Sequence, residues 1–513
     1  METLSRRDFL KVSSAMSGAA AVSGLTRGAL PSALNTSGAL PNILIFVFDA
    51  MSAANLSLYG YARKTTANLE LFAERATVYH QHYSAGNFTT SGTASLLTGL
   101  YPWTHRAINQ SGLVRRDLVD HNAFRVLGER YHRLAFSENL WPIYLLNQFH
   151  QDLEEILSPA SFGLMNSMAS DQVAAGVASG SRAIGDLLFQ DGHAPASLLF
   201  GVAERLRLYE TVARAPTQDY PSGLPHTETY AVFFKLKEVF DGLIATAESL
   251  VRPSAAYLHI WSPHDPYIPT KSFEGMFLND GWIPEPKPSH RLVDPERHKS
   301  RATLDDQRRR YDEYIANLDA EFGRLIDALR TSGVLDTSYV IVTSDHGEQF
   351  ERGFAGHGSP LLYDPVVRVP LVISAPGQSS RRDVHIPTAS VDVVPTLAQL
   401  SGGPVPDWCE GQVLPGLGGA EDAERSLFMM EAKLDNPHKP FTQASFAMRR
   451  GRYKLIDYMG YPQYRVQHRF EMYDMASDPD ELNNIYTETM SAAWSMKEEL
   501  LARIARADAL YVK

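Results

Sequence analysis

Two rhythms of apolar residues run along the chain. Asn42-Ile43-Leu44-Ile45-Phe46-Val47-Phe48 is an almost unbroken apolar run of strand length. Similar runs recur at Ala255 to Ile260, Tyr339 to Thr343 and Val369 to Ser374, with a shorter, weaker one at Arg133 to Phe136. Such runs predict strands buried on both faces, as in a parallel sheet covered by helices. Between the second and third runs the period changes. Tyr311, Tyr314, Ile315, Leu318, Phe322, Leu325, Ile326 and Leu329 recur at spacings of three and four, which predicts one long amphipathic helix. Thr303 with Asp306 marks its predicted start and Gly333 its end. Strand, long helix, strand is the rhythm of a doubly wound α/β domain.

The segment 141–252 has helical periodicity and predicts helices packed on the sheet. Phe162-Gly163-Leu164-Met165 and Leu198-Leu199-Phe200 within it are candidates for an apolar lid. From Gly402 to Gly419 the chain is rich in Gly and Pro and reads as a linker. Beyond it, short strands are predicted at Ser426 to Met430, Ala444 to Met448, Tyr453 to Tyr458 and Met472 to Met475, and a helix at Met490 to Arg506. These make a small C-terminal α+β subdomain. The predicted organisation is therefore a leader (1–39), a catalytic domain (40–415, with 141–252 inserted in it) and the C-terminal subdomain (416–513).

Composition narrows the class. The chain has 513 residues and a net charge of −11, without the clustered positive surface that a nucleic-acid partner requires. No apolar run reaches membrane-spanning length. The single cysteine, Cys409, excludes an internal disulfide and a thiolate metal cluster. At the N-terminus, Ser5-Arg6-Arg7-Asp8-Phe9-Leu10-Lys11 precedes a weakly apolar run from Val12 to Leu25 and then Pro31-Ser32-Ala33. This resembles a twin-arginine export signal. It predicts the twin-arginine translocation machinery as a partner and a periplasmic or extracellular location for the mature protein.

Polar residues fall where the strands end. Asp49 follows the first run, Ser344-Asp345-His346-Gly347 follows the third, and Pro263-His264-Asp265-Pro266 lies just beyond the second. Ligands of open α/β sheets bind beyond the carboxyl ends of the strands, so these residues are expected at one edge. Two carboxylates and an imidazole suit a divalent cation, and the nitrogen donor favours zinc or manganese over calcium or magnesium. A hydroxyl-rich turn, Asn87-Phe88-Thr89-Thr90-Ser91-Gly92-Thr93, opens a predicted helix through Thr98. Its free N–H groups favour an anion, and a hydroxyl there is activated by the dipole and by a metal. Position alone leaves several hydroxyls open as nucleophile or cap.

Thr93-Ala94-Ser95-Leu96-Leu97-Thr98-Gly99-Leu100-Tyr101-Pro102 resembles the sulfatase signature C-x-P-S-R-A-x-L-L-T-G-x-Y-P. Pro41 to Asp49, Leu58 to Tyr61, Pro263 to Tyr267, Thr343 to Glu348, Gly356-His357-Gly358, Gly451 to Leu455 and Leu482 to Asn484 extend the similarity over nearly all of the mature chain. The resemblance to the sulfatase and alkaline phosphatase superfamily implies a mixed, mostly parallel sheet flanked by helices. Its register puts Thr89 at the cysteine that sulfatases convert to formylglycine, where nucleotide pyrophosphatases carry their catalytic threonine. It further implies one divalent metal held by Asp49, Thr89, Asp345 and His346, with His264 and His357 contacting the transferred group.

The departures from the family pattern redirect the chemistry. Ser91, Gly92 and Thr93 replace the signature's proline, serine and arginine, Ala50 replaces the second aspartate, and Ala135-Phe136-Ser137-Glu138-Asn139 stands where a lysine and histidine are usual. No D-x-x-x-H element for a second metal is visible. Threonine forms no formylglycine, and a threonine ester needs an incoming water or hydroxyl to cleave it. The expectation is a metal-dependent hydrolase or transferase of phosphoryl-type esters, phosphodiester or phosphomonoester. The alternatives are a sulfuric ester hydrolase and a catalytically degraded member that binds a polyanion or glycan. His259 and Asp265 read as structural or supporting residues.

Overall fold

A computed structural model of the chain describes residues 40–159, 161–163, 217–227 and 232–512. The leader, and the lid candidates Leu164, Met165 and Leu198 to Phe200, lie outside the described residues. Numbered in chain order, the strands of the central sheet are β1 Asn42–Phe48, β2 Thr77–Tyr79, β4 His132–Ser137, β5 Glu155–Leu157, β6 Ser254–Ile260, β7 Ser338–Thr343, β10 Leu371–Ser374 and β11 Arg382–Val384. Two ribbons pair β3 His82–Tyr83 with β12 Thr388–Ala389, and β8 Gln349–Glu351 with β9 Phe354–Gly356. The spatial order of the large sheet is β11-β2-β10-β7-β1-β6-β4-β5. Within it β10 runs antiparallel to both its neighbours and the other pairings are parallel.

The reason for the unbroken apolar runs is visible in β1. Leu44, Phe46 and Phe48 join one buried cluster, while Ile43, Ile45 and Val47 join another across the sheet. Alternate side chains enter opposite layers, and both layers are dry. The first layer contains the apolar face of helix Arg301–Thr331, from Tyr311 to Leu329, as its spacing predicts. This helix starts earlier than Thr303. Ser300 is its N-cap and accepts from the Thr303 N–H. The opposite layer holds Ala94, Leu96 and Leu97 of helix Thr89–Thr98, packed beside Val393, Val394 and Leu397. Phe162 is no lid. Its ring lies 4.6 Å from that of Phe136 and fills the space over Gly242, so it packs against the core.

A four-stranded antiparallel sheet, β13 Leu427–Glu431, β14 Ala444–Arg450, β15 Tyr453–Met459 and β16 His468–Asp474, forms the C-terminal layer with helix Ser491–Asp508. The Gly/Pro-rich stretch before it is no loose linker. Trp408 Nε1 donates to Thr98 O, Glu410 N donates to Gly99 O, and Glu410 accepts from Tyr101 N. The stretch is fastened under the helix Thr89–Thr98.

Lys454 of β15 ties the C-terminal sheet to the short helix Asp364–Val367 that precedes β10. It is fully buried, with its Nζ 2.9 Å from Asp364 and 2.8 Å from Glu481. Removing one member of a buried ion pair strands the others in low dielectric, at about 3–5 kcal/mol. Lys454→Ala is accordingly expected to lower the thermal midpoint more than any exposed Lys→Ala change. A midpoint equal to that of Lys237→Ala would refute the role given to the pair.

Candidate active site

Parallel register delivers the polar residues to one edge. Phe48 of β1 lies opposite Ile260 of β6, so Asp49 emerges beside His259, and its N–H donates to Ile260 O at 2.9 Å. Asp345 and His346 follow β7 on the other side of β1. The turn after Asp49 puts Ala50 at φ +61°, a left-handed conformation that costs a non-glycine residue about 1–2 kcal/mol. Ala50 is held there by its N–H to Asp345 Oδ1 and by Tyr311 Oη donating to its carbonyl.

Asp49, His259 and Asp345 present ligand atoms that all lie within 4.8 Å of one another, and all three are buried. His259 Nε2 is 3.2 Å from Asp49 Oδ2 and 3.8 Å from Asp345 Oδ2. His346 Nε2 is 3.4 Å from Asp49 Oδ1 and 3.6 Å from Asp345 Oδ2. Asp49 Oδ1 and Asp345 Oδ2 accept no hydrogen bond although both are buried. Orphaned buried carboxylate oxygens facing imidazole nitrogens are what a divalent cation satisfies, so the residues fit one. The outer contacts agree. His346 Nδ1–H donates to Gly347 O at 2.9 Å, which turns the Nε2 lone pair inward, and Tyr257 Oη lies 2.9 Å from His259 Nδ1.

The electrostatics call for positive charge. Burial acts to raise Asp49, but His264, His259 and His346 outweigh it and hold its carboxyl well below the usual range. Asp345 is pushed up by burial and by Asp49. Burial acts to lower His346, yet Asp345 and Asp49 raise it to about 9. An imidazolium thus balances the carboxylates wherever no cation does.

Thr89 opens the helix Thr89–Thr98 with its Oγ1 3.3 Å from His346 Nε2 and 3.4 Å from Asn139 Nδ2. Thr90 Oγ1 donates instead to Gln110 O, away from the cluster. The family departure at Gly92 has a steric cause. A Cβ there would sit 2.1 Å from Asp345 O, so glycine lets the helix close onto the turn that carries Asp345. Asn139 caps the helix Leu140–Gln148 through its Oδ1, and its Nδ2 also donates to Asp49 Oδ2 at 2.6 Å.

The remaining predicted residues complete the group. His264 Nδ1 is bonded to Asp265 O at 2.7 Å, and its ring centre is 4.8 Å from that of His357. The His357 ring is 4.2 Å from His346, and its Nδ1 faces both oxygens of Glu348 at 3.2 and 3.3 Å. Burial, with His346 and His264 nearby, holds His357 well below its usual value.

Asp49, Thr89, His264, Asp345, His346 and His357 therefore converge as expected from the chain order of their motifs. His259, read from the sequence as structural or supporting, lies with Asp49 and Asp345 in the group whose atoms could hold a metal ion. Asn139, Glu348 and Lys433, whose Nζ is 5.2 Å from the Phe88 ring centre, were not singled out for any role. One signal for His259 was present in the chain. It is an imidazole inside a strand otherwise buried and apolar on both faces, where a polar side chain needs a reason.

Among the described residues, no helix is long and apolar enough to cross a membrane. Comparison with known proteins supplies the family. A family model described as "Sulfatase" matches residues 41–139 and 203–403, and one described as "N-sulphoglucosamine sulphohydrolase, C-terminal" matches 355–508. The choline-sulfatase of Rhizobium meliloti (strain 1021) is 25% identical over 466 residues, which is 87% of this chain and 82% of that protein. Arylsulfatase A of Homo sapiens is 25% identical over 439 residues, 81% and 74% of the two chains. The crystal structure of the phosphonate monoester hydrolase of Agrobacterium radiobacter superposes with a TM-score of 0.67 at 19% identity, covering 91% of this chain and 96% of that one. Matched by the sulfatase family model over more than half its length, this chain belongs to the sulfatase family.

Proposed function

We propose that the protein cleaves phosphoryl-type esters with Thr89 Oγ1 as nucleophile. The observation that carries this reading is the position of Thr89 Oγ1, beside His346 and Asn139 at the rim of the buried carboxylate cluster. Asp49, His259, Asp345 and His346 would hold one divalent cation. Bound there, it would supply Lewis-acid chemistry, lowering the pKa of the Thr89 hydroxyl and neutralising a non-bridging oxygen.

The chain's own residues account for the proton and charge movements. Asn139 Nδ2 donates to Thr89 Oγ1, and that bond strengthens as the oxygen gains negative charge. Thr89 Oγ1 releases its proton to solvent as it forms a bond to phosphorus, the bond to the leaving oxygen breaks, and His264 gives that oxygen a proton from Nε2. His357, kept neutral by its surroundings, then takes a proton at Nε2 from the water or hydroxyl that attacks the phosphothreonine. The P–Oγ1 bond breaks, the proton taken up by His357 returns through solvent to Thr89, and His264 recovers its own from solvent. Glu348 keeps His357 in the required orientation through Nδ1.

Sulfuric ester hydrolysis is the second reading, favoured by the names of the choline-sulfatase and arylsulfatase relatives. It would need water to cleave a sulfothreonine, because threonine has no hydrate that can collapse to an aldehyde. Aryl phosphate monoesters, aryl phosphodiesters and aryl sulfates, offered with zinc, manganese, calcium or magnesium, separate the two readings. A phosphoryl ester is expected to be turned over at least about a hundredfold faster than the sulfate in kcat/KM. Turnover of the sulfate alone would overturn the proposal.

A further inference from the structure

The C-terminal subdomain delivers a lysine to the rim of this site. Strand β13 docks by its backbone on the segment leading to the nucleophile, with Met430 N donating to Ala85 O at 2.9 Å and a parallel bridge between Gly86 and Met430. Three residues on, Lys433 Nζ lies 5.2 Å from the centre of the Phe88 ring, next to Thr89. The same ammonium rests against Gly358, where a Cβ would come within 3.2 Å of Nζ. Gly358 follows His357, and its N–H donates to Asn87 O. Lys433 is thus wedged between the segment carrying Thr89 and the one carrying His357.

The loop holding it is built rather than loose. Lys433 N donates to Glu431 Oε1 at 2.8 Å, and Asn109 Nδ2 donates to both Lys433 O and Asp435 O. Asp435 in turn accepts from the backbone of Thr442 and Gln443. None of the residues converging on the centre (Asp49, Thr89, Asn139, His259, His264, Asp345, His346, His357) is a lysine or arginine. Position 93, where the family signature has arginine, is threonine. A fixed ammonium at this rim therefore supplies a permanent positive charge that the centre's own side chains lack.

We propose that Lys433 is a specificity-determining residue that binds a non-bridging oxygen of the phosphoryl group and selects for a second negative charge on it. The inference rests on the phosphoryl-ester reading and deepens it. The favoured substrate class is then the phosphate monoester. With a second pKa near 6, a monoester is a dianion at pH 8, whereas a phosphodiester and a sulfate monoester each carry one charge. A half-buried lysine distinguishes two charges from one because the charge-assisted hydrogen bond it donates strengthens with the charge on the accepting oxygen.

The test compares parent, Lys433→Met and Lys433→Arg proteins, all metal-loaded and matched in thermal midpoint, on 4-nitrophenyl phosphate, bis(4-nitrophenyl) phosphate and 4-nitrophenyl sulfate at pH 8. Lys433→Met is expected to lose about ten- to a hundredfold in kcat/KM on the monoester and less than about threefold on the other two. Lys433→Arg should recover part of the loss. An equal loss on all three esters, or none on the monoester, would overturn the proposal.

Binding provides an arm that does not depend on turnover. In Thr89→Ala protein, calorimetry with phenyl phosphate and diphenyl phosphate should show that adding Lys433→Met weakens only the former. A parent that turns over no phosphoryl ester defeats the proposed function instead. Even then, equal weakening of both ligands would overturn the role of Lys433, and selective weakening would sustain it.

Discussion

Thr89→Ala is expected to lower turnover by at least about a thousandfold while the purified protein still holds its metal. The asymmetry follows from what the side chain touches. Its Oγ1 is within reach of His346 and Asn139, but the buried carboxylates Asp49 and Asp345 and the two imidazoles remain when it is removed. Thr89→Ser keeps the hydroxyl, loses one methyl group and should retain part of the activity. Acid quenching of the parent during turnover should leave a phosphoryl group on the peptide spanning Phe88 to Leu97, detectable by mass spectrometry. A label on Thr90, whose hydroxyl donates to Gln110 O, or full activity in Thr89→Ala, would show the register to be wrong.

The second large effect concerns the metal. Asp345→Asn should weaken metal binding by at least about a hundredfold and abolish activity with it. Its effect on stability depends on the metal. In the parent, a cation that binds only the folded state raises the thermal midpoint by mass action, and this rise should vanish in the variant. Without metal the order reverses. Asp345 is buried against Asp49, and both burial and that neighbour push its carboxyl up, so the neutral amide relieves a repulsion. The metal-free variant should melt no lower than the metal-free parent. A metal-free variant that melts well below the metal-free parent would mean that Asp345 serves a structural network. His259→Ala should cost about ten- to a hundredfold in metal affinity, and unchanged affinity would remove His259 from the ligand set. Elemental analysis should give one ion per parent chain.

Much of the architecture was legible because burial on both faces leaves a plain mark. Strands β1, β6 and β7 are nearly continuous apolar runs for that reason, and the helix Arg301–Thr331 buries only one face and so shows a period of three and four. Its start was misplaced because two hydroxyl residues, Ser300 and Thr303, both suit a cap and only the backbone geometry chooses between them. Strand β16 begins at His468, before the stretch predicted from Met472. His468 and Arg469 are not buried, so they carry no apolar signal, and pairing with β15 decides the boundary.

For the site, the sequence by itself determined which motifs end strands, and with them Asp49, Asp345, His346, His264, His357 and the threonine turn. Each is adjacent in the chain to a buried strand end, a helix start or a matching motif, and adjacency is local information. Tertiary structure alone decided the rest. His259 reaches Asp49 because β1 and β6 pair in parallel with Val47 opposite His259, and register is a property of two strands rather than of either. Asn139 reaches Thr89 because β4 lies beyond β6, and Lys433 arrives from 344 residues downstream of Thr89 because β13 docks on the backbone of Ala85 and Gly86. Contacts between distant segments depend on the packing of whole layers, so the local pattern can mark His259 as out of place in an apolar strand but cannot say which residues it, Asn139 or Lys433 will meet.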